Sequence, residues 1–158
     1  MAQAVSLFLL FPTPLLAQTS STTFTVSITV ESDCLITANN LNFGAVDDLD
    51  QSIAGATNGF VTCSAIVPVS ISFNAGTGGS STFATRQMAN GANTINYNIY
   101  RDSAHTEILG DGSGGTFTID FTSTGGNDQF MVFGQTDPGQ NPKPIGTYSS
   151  TITATITF

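Results

Sequence analysis

His105 is the only histidine in the 158-residue chain, with Asp102 and Glu107 close by. An imidazole beside carboxylates is the minimum kit for general acid–base work. A nucleophile would be needed for hydrolysis of the Ser-His-Asp kind, and no Gly-x-Ser-x-Gly elbow marks one. His105 therefore reads as a solvated histidine at a strand end or loop. Cys34 and Cys63 together with one histidine are too few ligands for a zinc site. Asp47, Asp48, Asp50 and Asp111 carry the hard oxygens that calcium prefers, but the EF-hand order is missing. They read as surface loop acids. Gly76–Gly79 and Gly110–Gly115 precede neither a Gly-Lys-Ser/Thr step nor a helix, so they are turns rather than phosphate cradles. Paired carboxylates for glycoside hydrolysis are not legible, and no tryptophan is present as a sugar platform. The expectation is a protein that is not an enzyme and holds no cofactor and no metal.

The charge balance narrows the partners. Three Lys and Arg face eleven Asp and Glu, for a net charge of −8. Such a surface repels phosphate backbones, which argues against nucleic acid, and it has no basic patch for anionic lipid. Val5–Leu16 is apolar and Leu15-Leu16-Ala17 forms an acceptable cleavage site, so residues 1–17 read as a signal peptide. Met1-Ala2-Gln3 lacks the usual Lys or Arg, which points to a truncated or misassigned start. The apolar stretch is short and broken by Pro12 and Pro14, so no membrane insertion is expected. In an exported chain two cysteines suggest one disulfide, Cys34–Cys63, against the alternative of two buried thiols.

Few helical patterns exist to position any of these residues. Phe24, Val26, Ile28 and Val30 alternate with Thr23, Thr25, Ser27 and Thr29. At the other end Ile152, Ala154, Ile156 and Phe158 alternate with four threonines. Period-two alternation predicts strands with one apolar and one hydroxyl face. Between them, strands are expected over Cys34–Ala38, Leu41–Val46, Gly59–Ala65, Val67–Phe73, Ile95–Ile99, Phe117–Phe121 and Phe130–Gln135. Asp47–Asp50 is expected to be a solvated loop. About eight strands with such turn spacing predict an antiparallel β-sandwich of immunoglobulin-like type.

If that sandwich lacks its last strand, the strand ending at Phe158 borders an open apolar groove. Such an edge invites aggregation unless it is covered. A strand from another subunit covers it by β-augmentation. Residues 23–30 either play that donor role or pair within their own domain, and the pattern alone leaves both open.

The ordered marks along the chain resemble those of spore coat protein U-like domains, subunits of archaic (Csu-type) chaperone–usher pili. These marks are Cys34, Leu41-Asn42-Phe43-Gly44, Val61-Thr62-Cys63, Arg86-Gln87-Met88 with Gly91, Tyr97-Asn98-Ile99-Tyr100-Arg101-Asp102, Gly110-Asp111-Gly112, Phe133-Gly134-Gln135 and Gly146-Thr147-Tyr148. Leu109 departs from them, since many relatives carry Trp before Gly-Asp-Gly. The resemblance implies an incomplete immunoglobulin-like antiparallel β-sandwich completed by donor-strand complementation. It implies residues 18–31 as the donor segment, with Phe24, Val26, Ile28 and Val30 as its side chains, and residues 32–158 as the pilin domain. Ile152, Ala154, Ile156 and Phe158 then form the acceptor groove and chaperone-contacting strand, and Cys34 and Cys63 the family disulfide. The implied partners are neighbouring pilin subunits in a homopolymer or mixed fibre, a periplasmic chaperone and an outer-membrane usher. The implied location is the cell-surface fimbrium, reached through the periplasm, where the fibre serves attachment and biofilm formation. One domain with a donor segment suits a shaft or adaptor subunit better than a tip adhesin. The competing reading is a self-contained secreted spore-coat or carbohydrate-binding module.

Overall fold

The computed structural model describes residues 17–158. The chain divides after Val30 into two units, Met1–Val30 and Glu31–Phe158. Nearly all of the expected signal peptide, 1–17, lies outside the described residues. Residues 17–30 form no strand, and every one of them is exposed. A strand exists only through hydrogen bonds to a partner; alternation supplies its two faces but no partner.

The second unit contains eight strands: β1 (Cys34–Ala38), β2 (Ala54–Cys63), β3 (Pro68–Phe73), β4 (Arg86–Asn90), β5 (Asn93–Tyr100), β6 (Ile119–Thr122), β7 (Asn127–Thr136) and β8 (Ala154–Thr157). All pairings are antiparallel. One sheet runs β1-β2-β7-β5-β4 and the other β6-β3-β8. This is the expected all-β antiparallel sandwich. The inward positions follow period two: Val69, Ile71 and Phe73 on β3, Ile95, Tyr97 and Ile99 on β5, and Phe130 and Val132 on β7 are all buried. The Phe73 and Phe130 rings meet edge to face at 6.5 Å and join the two sheets. The β4–β5 hairpin turns through Gly91-Ala92, and Gly91 takes φ 59°, the sign a two-residue hairpin loop requires.

Several elements differ from the sequence expectation. Leu41–Val46 is not a strand. Asn42 Oδ1 accepts the Gly44 N–H at 2.8 Å, an Asx turn that bends the chain. Leu41 and Phe43 instead drop onto Gly55 and Gly134, which face each other across β2 and β7. The two glycines leave a dimple that these side chains fill. Asp47–Asp50 is not a simple solvated loop either, because Leu49 is buried among the acids. Asp48 Oδ1 accepts both the Asp50 N–H and Asn141 Nδ2, folding the turn so that Leu49 points inward. β2 starts at Ala54, earlier than the expected Gly59, because β7 is long enough to pair with it from Gln135 onward. β4 had no predicted counterpart. Phe117 joins its neighbours only through a single bridge to Leu109, and regular pairing begins at Ile119.

Cys34 and Cys63 form the disulfide and lie directly opposite in the β1–β2 ladder. The neighbouring pair, Asp33 and Ser64, is hydrogen-bonded at 2.9 Å. The cysteines therefore occupy a non-hydrogen-bonded pair, where Cα atoms come closest, here 4.1 Å.

Two outcomes follow from this packing. A Cβ at Gly134 falls 2.5 Å from Leu41 Cδ2, whereas one at Gly55 sits 3.3 Å from Leu41 Cδ1. Urea unfolding should show Gly134→Ala destabilising by roughly 1–3 kcal/mol and Gly55→Ala by clearly less. Equal losses would contradict the dimple. The disulfide spans 29 residues and holds an edge strand. Its removal in Cys34→Ala/Cys63→Ala should cost about 3–4 kcal/mol, with amide exchange rising first in β1.

Candidate functional site

The chemistry-bearing residues are spent on loop structure. Asp102 accepts bonds from Thr106 N–H, Thr106 Oγ1 and Glu107 N–H, so its carboxylate holds the turn. Glu107 pairs with Arg101 at 2.8 Å. His105 sits at φ 57° in this turn, with its ring edge-on to Tyr100 at 5.2 Å. Asp111 Oδ1 accepts Ser113 N–H and Oγ, and these bonds hold its pKa below the usual carboxylate range. Among the described residues, no group of three or more His, Cys, Asp and Glu is placed to hold a metal ion.

The strand edges are different. The two sheets have four outer strands: β1, β4, β6 and β8. β4 is partly covered, because Ala89 exchanges both backbone bonds with Ser149. β6 carries the charge of Asp120. β1 (CLITA) and β8 (ATIT) carry no charge, no proline and no cover. These are the devices by which soluble sheets protect an edge, and both strands lack them.

Backbone direction on β8 follows from its register. Asn74 N–H donates to Thr153 O at 3.0 Å, so residues 74 and 153 form a hydrogen-bonded pair. Antiparallel pairing alternates, so Thr155 and Thr157 also direct their N–H and C=O groups at β3. Those of Ala154 and Ile156 point to the open side. The side chains of these same residues, with Ile152, are half-buried against the core. The same argument applies to β1. Asp33 and Asn39 bond to β2, so Leu35 and Thr37 do too, while Cys34, Ile36 and Ala38 direct backbone groups outward. Cys34 and Ile36 also pack on the core. Each open edge therefore presents unpaired backbone groups on the residues that line the interior. Phe158, at the end of β8, remains 49% exposed.

β1 and β8 approach within 8 Å between Cα atoms but share no ladder. A strand lying between them in one continuous sheet needs about 9.6 Å, two strand spacings. A strand pairing with β8 must therefore push β1 aside or ride over it. The acceptor residues predicted from sequence all fall on this edge. The contribution of β1 was missed, and its only sequence signal was an uncharged five-residue strand.

Phe24, Val26, Ile28 and Val30 lie in the first unit and are 83–89% exposed. No other part of the described chain aligns four large apolar side chains at period two in full solvent. Residues 17–30 contain no charged residue.

A family model described as the Spore Coat Protein U domain matches residues 20–155. The chain belongs to this family. The match of the Spore Coat Protein U model includes most of the exposed segment and β8 up to Thr155. Among curated proteins none matches. Among solved structures, the fold is similar to one described as the crystal structure of the CsuC–CsuE chaperone–tip adhesion subunit pre-assembly complex from archaic chaperone–usher Csu pili of Acinetobacter baumannii. The TM-score is 0.56 and the identity 21%, over 82% of this chain and 41% of that one. This chain therefore spans less than half the length of that structure's chain, and the likeness is one of fold.

The open side of β8 can be tested by proline. Ala154→Pro removes an N–H that no residue of the second unit uses; Thr155→Pro removes one that is paired with Ser72. Unfolding by urea should show Thr155→Pro costing roughly 1–3 kcal/mol, since it leaves the Ser72 carbonyl without its ladder partner, and Ala154→Pro much less, as edge positions tolerate proline. The reverse order would overturn the assignment of the open side.

Proposed function

We propose that this Spore Coat Protein U domain is a structural subunit, a pilin, of an archaic chaperone–usher pilus and has no enzymatic role. In this reading Phe24, Val26, Ile28 and Val30 of one subunit pair with the β8 edge of the next. The single observation that carries it is the match between a free strand and a free edge. Four apolar side chains at period two stand in solvent, and three inward positions at period two, Ile152, Ala154 and Ile156, followed by the half-exposed Phe158, border unpaired backbone.

Paired residues on neighbouring strands point to the same side of a sheet. A donor whose apolar residues sit opposite Ala154 and Ile156 therefore buries its side chains and satisfies the open backbone groups at once. Complete burial of the four donor side chains contributes roughly 6–12 kcal/mol as an upper figure. Backbone pairing adds about 0.5–1.5 kcal/mol per bond. Lost translational and rotational freedom opposes these gains by about 4–15 kcal/mol, so a long-lived contact requires the apolar and backbone contributions together.

The same edge requires cover before assembly. A periplasmic chaperone supplies a temporary strand there and an outer-membrane usher exchanges it for the next subunit's donor. The product is a surface fimbrium that serves attachment and biofilm formation.

Deleting residues 18–30 tests the proposal. Sizing should show loss of polymers, and the truncated chain should bind a synthetic peptide of residues 22–31. Ile28→Asp in that peptide buries a charge, and binding should weaken by at least about a hundredfold. Polymers that persist after the deletion, or a truncated chain indifferent to the peptide, would end the pilin reading.

A further inference from the structure

Arg86 is completely buried, yet its guanidinium faces no carboxylate. Nη1 donates to Asn98 Oδ1 at 2.6 Å. Nε and Nη2 both donate to the Asn74 carbonyl, at 3.3 and 2.8 Å, and Nη2 also donates to the Leu109 carbonyl at 2.7 Å. The Phe83 ring lies 5.6 Å away. Burial lowers its pKa to about 10, so the group stays charged at physiological pH. A buried charge among neutral acceptors is costly, and an apolar side chain would fill the same volume at lower cost. The geometry has to account for its presence.

Arg86 begins β4 in the five-stranded sheet, while Asn74 follows β3 in the other sheet. Asn74 in turn anchors the start of the open edge. Its N–H donates to Thr153 O at 3.0 Å, and its Oδ1 accepts Thr153 N–H at 2.9 Å and Gly76 N–H at 3.1 Å. From β4 itself, Ala89 holds Ser149 by two backbone bonds of 2.9 and 3.1 Å. Residues 149–153 are thus anchored at one end on β4 and at the other on Asn74, with Thr151 N–H donating to Thr77 Oγ1 at 3.0 Å and Ser150 Oγ accepting Gly78 N–H at 3.3 Å between them. The guanidinium is the link between those anchors, and its planar fork is what reaches three acceptors at once.

We propose that Arg86 is a positioning residue for the acceptor edge: it fixes where β8 starts and keeps its open side presented while no partner strand is bound. This rests on the pilin reading for its purpose but not for its geometry.

The test uses Arg86→Lys and Asn74→Ala in the full chain. Lysine keeps the charge and loses the fork. Asn74→Ala removes only Oδ1 and leaves the carbonyl that Arg86 uses. Amide exchange should rise about tenfold or more at Thr153, Thr155 and Thr157, whose N–H groups are paired, in Arg86→Lys, the ratio that loss of one hydrogen bond to a charged donor gives, while Val61 and Phe130 stay as protected as in the parent. Subunit release from preformed fibres in sub-denaturing urea should quicken in the same proportion. Asn74→Ala should show the same selectivity at smaller amplitude.

Exchange that rises equally in β2, β7 and β8 would make Arg86 an ordinary core residue and overturn the inference. If Arg86→Lys fails to fold, Arg86→Met decides, since it keeps the volume and removes the fork without burying a charge: selective loosening of Thr153, Thr155 and Thr157 supports the positioning role, and unchanged exchange there defeats it. If the parent forms no fibre, the pilin reading falls, while the exchange comparison still judges Arg86.

Discussion

The constraint on which the rest of this structure depends is a row of unpaired N–H and C=O groups along β8. Side-chain direction and hydrogen-bond direction both alternate with period two in an antiparallel pair. On β8 their phases coincide, so the residues whose backbone faces outward are also those whose side chains face inward. Had the register slipped by one residue, threonine side chains would face the core. A strand that closes this edge therefore cannot satisfy backbone and core separately. That coupling makes the closing contact strong and its register strict.

An open edge of this kind must be held in shape without its missing neighbour, and each side has its own fastening. β1 pairs only with β2, and the disulfide locks its first residue to that partner. β8 is four residues long and pairs only with β3. Its approach is fastened by Ala89 on one side and by Asn74 on the other. Between these fastenings lies a well-packed interior centred on Phe73, Phe130, Ile71 and Val61. The weak places are therefore confined to the two strands with an open side.

Legibility from sequence tracked how directly side-chain polarity reports burial. β3, β5 and β7 were readable because their inward residues are Val, Ile, Phe and Tyr. β4 was not, because its inward residue is Arg86, a charge that reads as solvent-facing until its acceptors are placed. Leu41 and Phe43 mimic a strand, but the alternation comes from two apolar side chains of a turn packing on two glycines of another ladder. Nothing local announces that pairing of Gly55 with Gly134. Leu49 was hidden by three aspartates, one of which, Asp48, spends its carboxylate on the turn. The candidate site was half legible: the alternation in 151–158 announced a strand with one apolar face, but which backbone groups are free depends on register, which no single strand encodes.

Charge placement bears on how subunits of this design would meet. The chain carries a net charge of −8; its acids lie mostly in loops and on β6 and β7, only Glu31 and Asp33 flank residues 17–30 and β1, and those two stretches and β8 are themselves uncharged. Two such surfaces repel at distance, with a reach of about 8 Å at physiological ionic strength. The uncharged strand and edge supply no steering to offset that repulsion, so unaided encounter is slow. An uncovered edge meanwhile invites pairing with any extended chain. Slow correct encounter and fast wrong encounter together are the condition under which assembly needs a partner that covers the edge and then presents the donor to it. On the pilin reading, this gives a chaperone and an usher a physical role: they supply the encounter that a neutral interface on an acidic body cannot provide for itself.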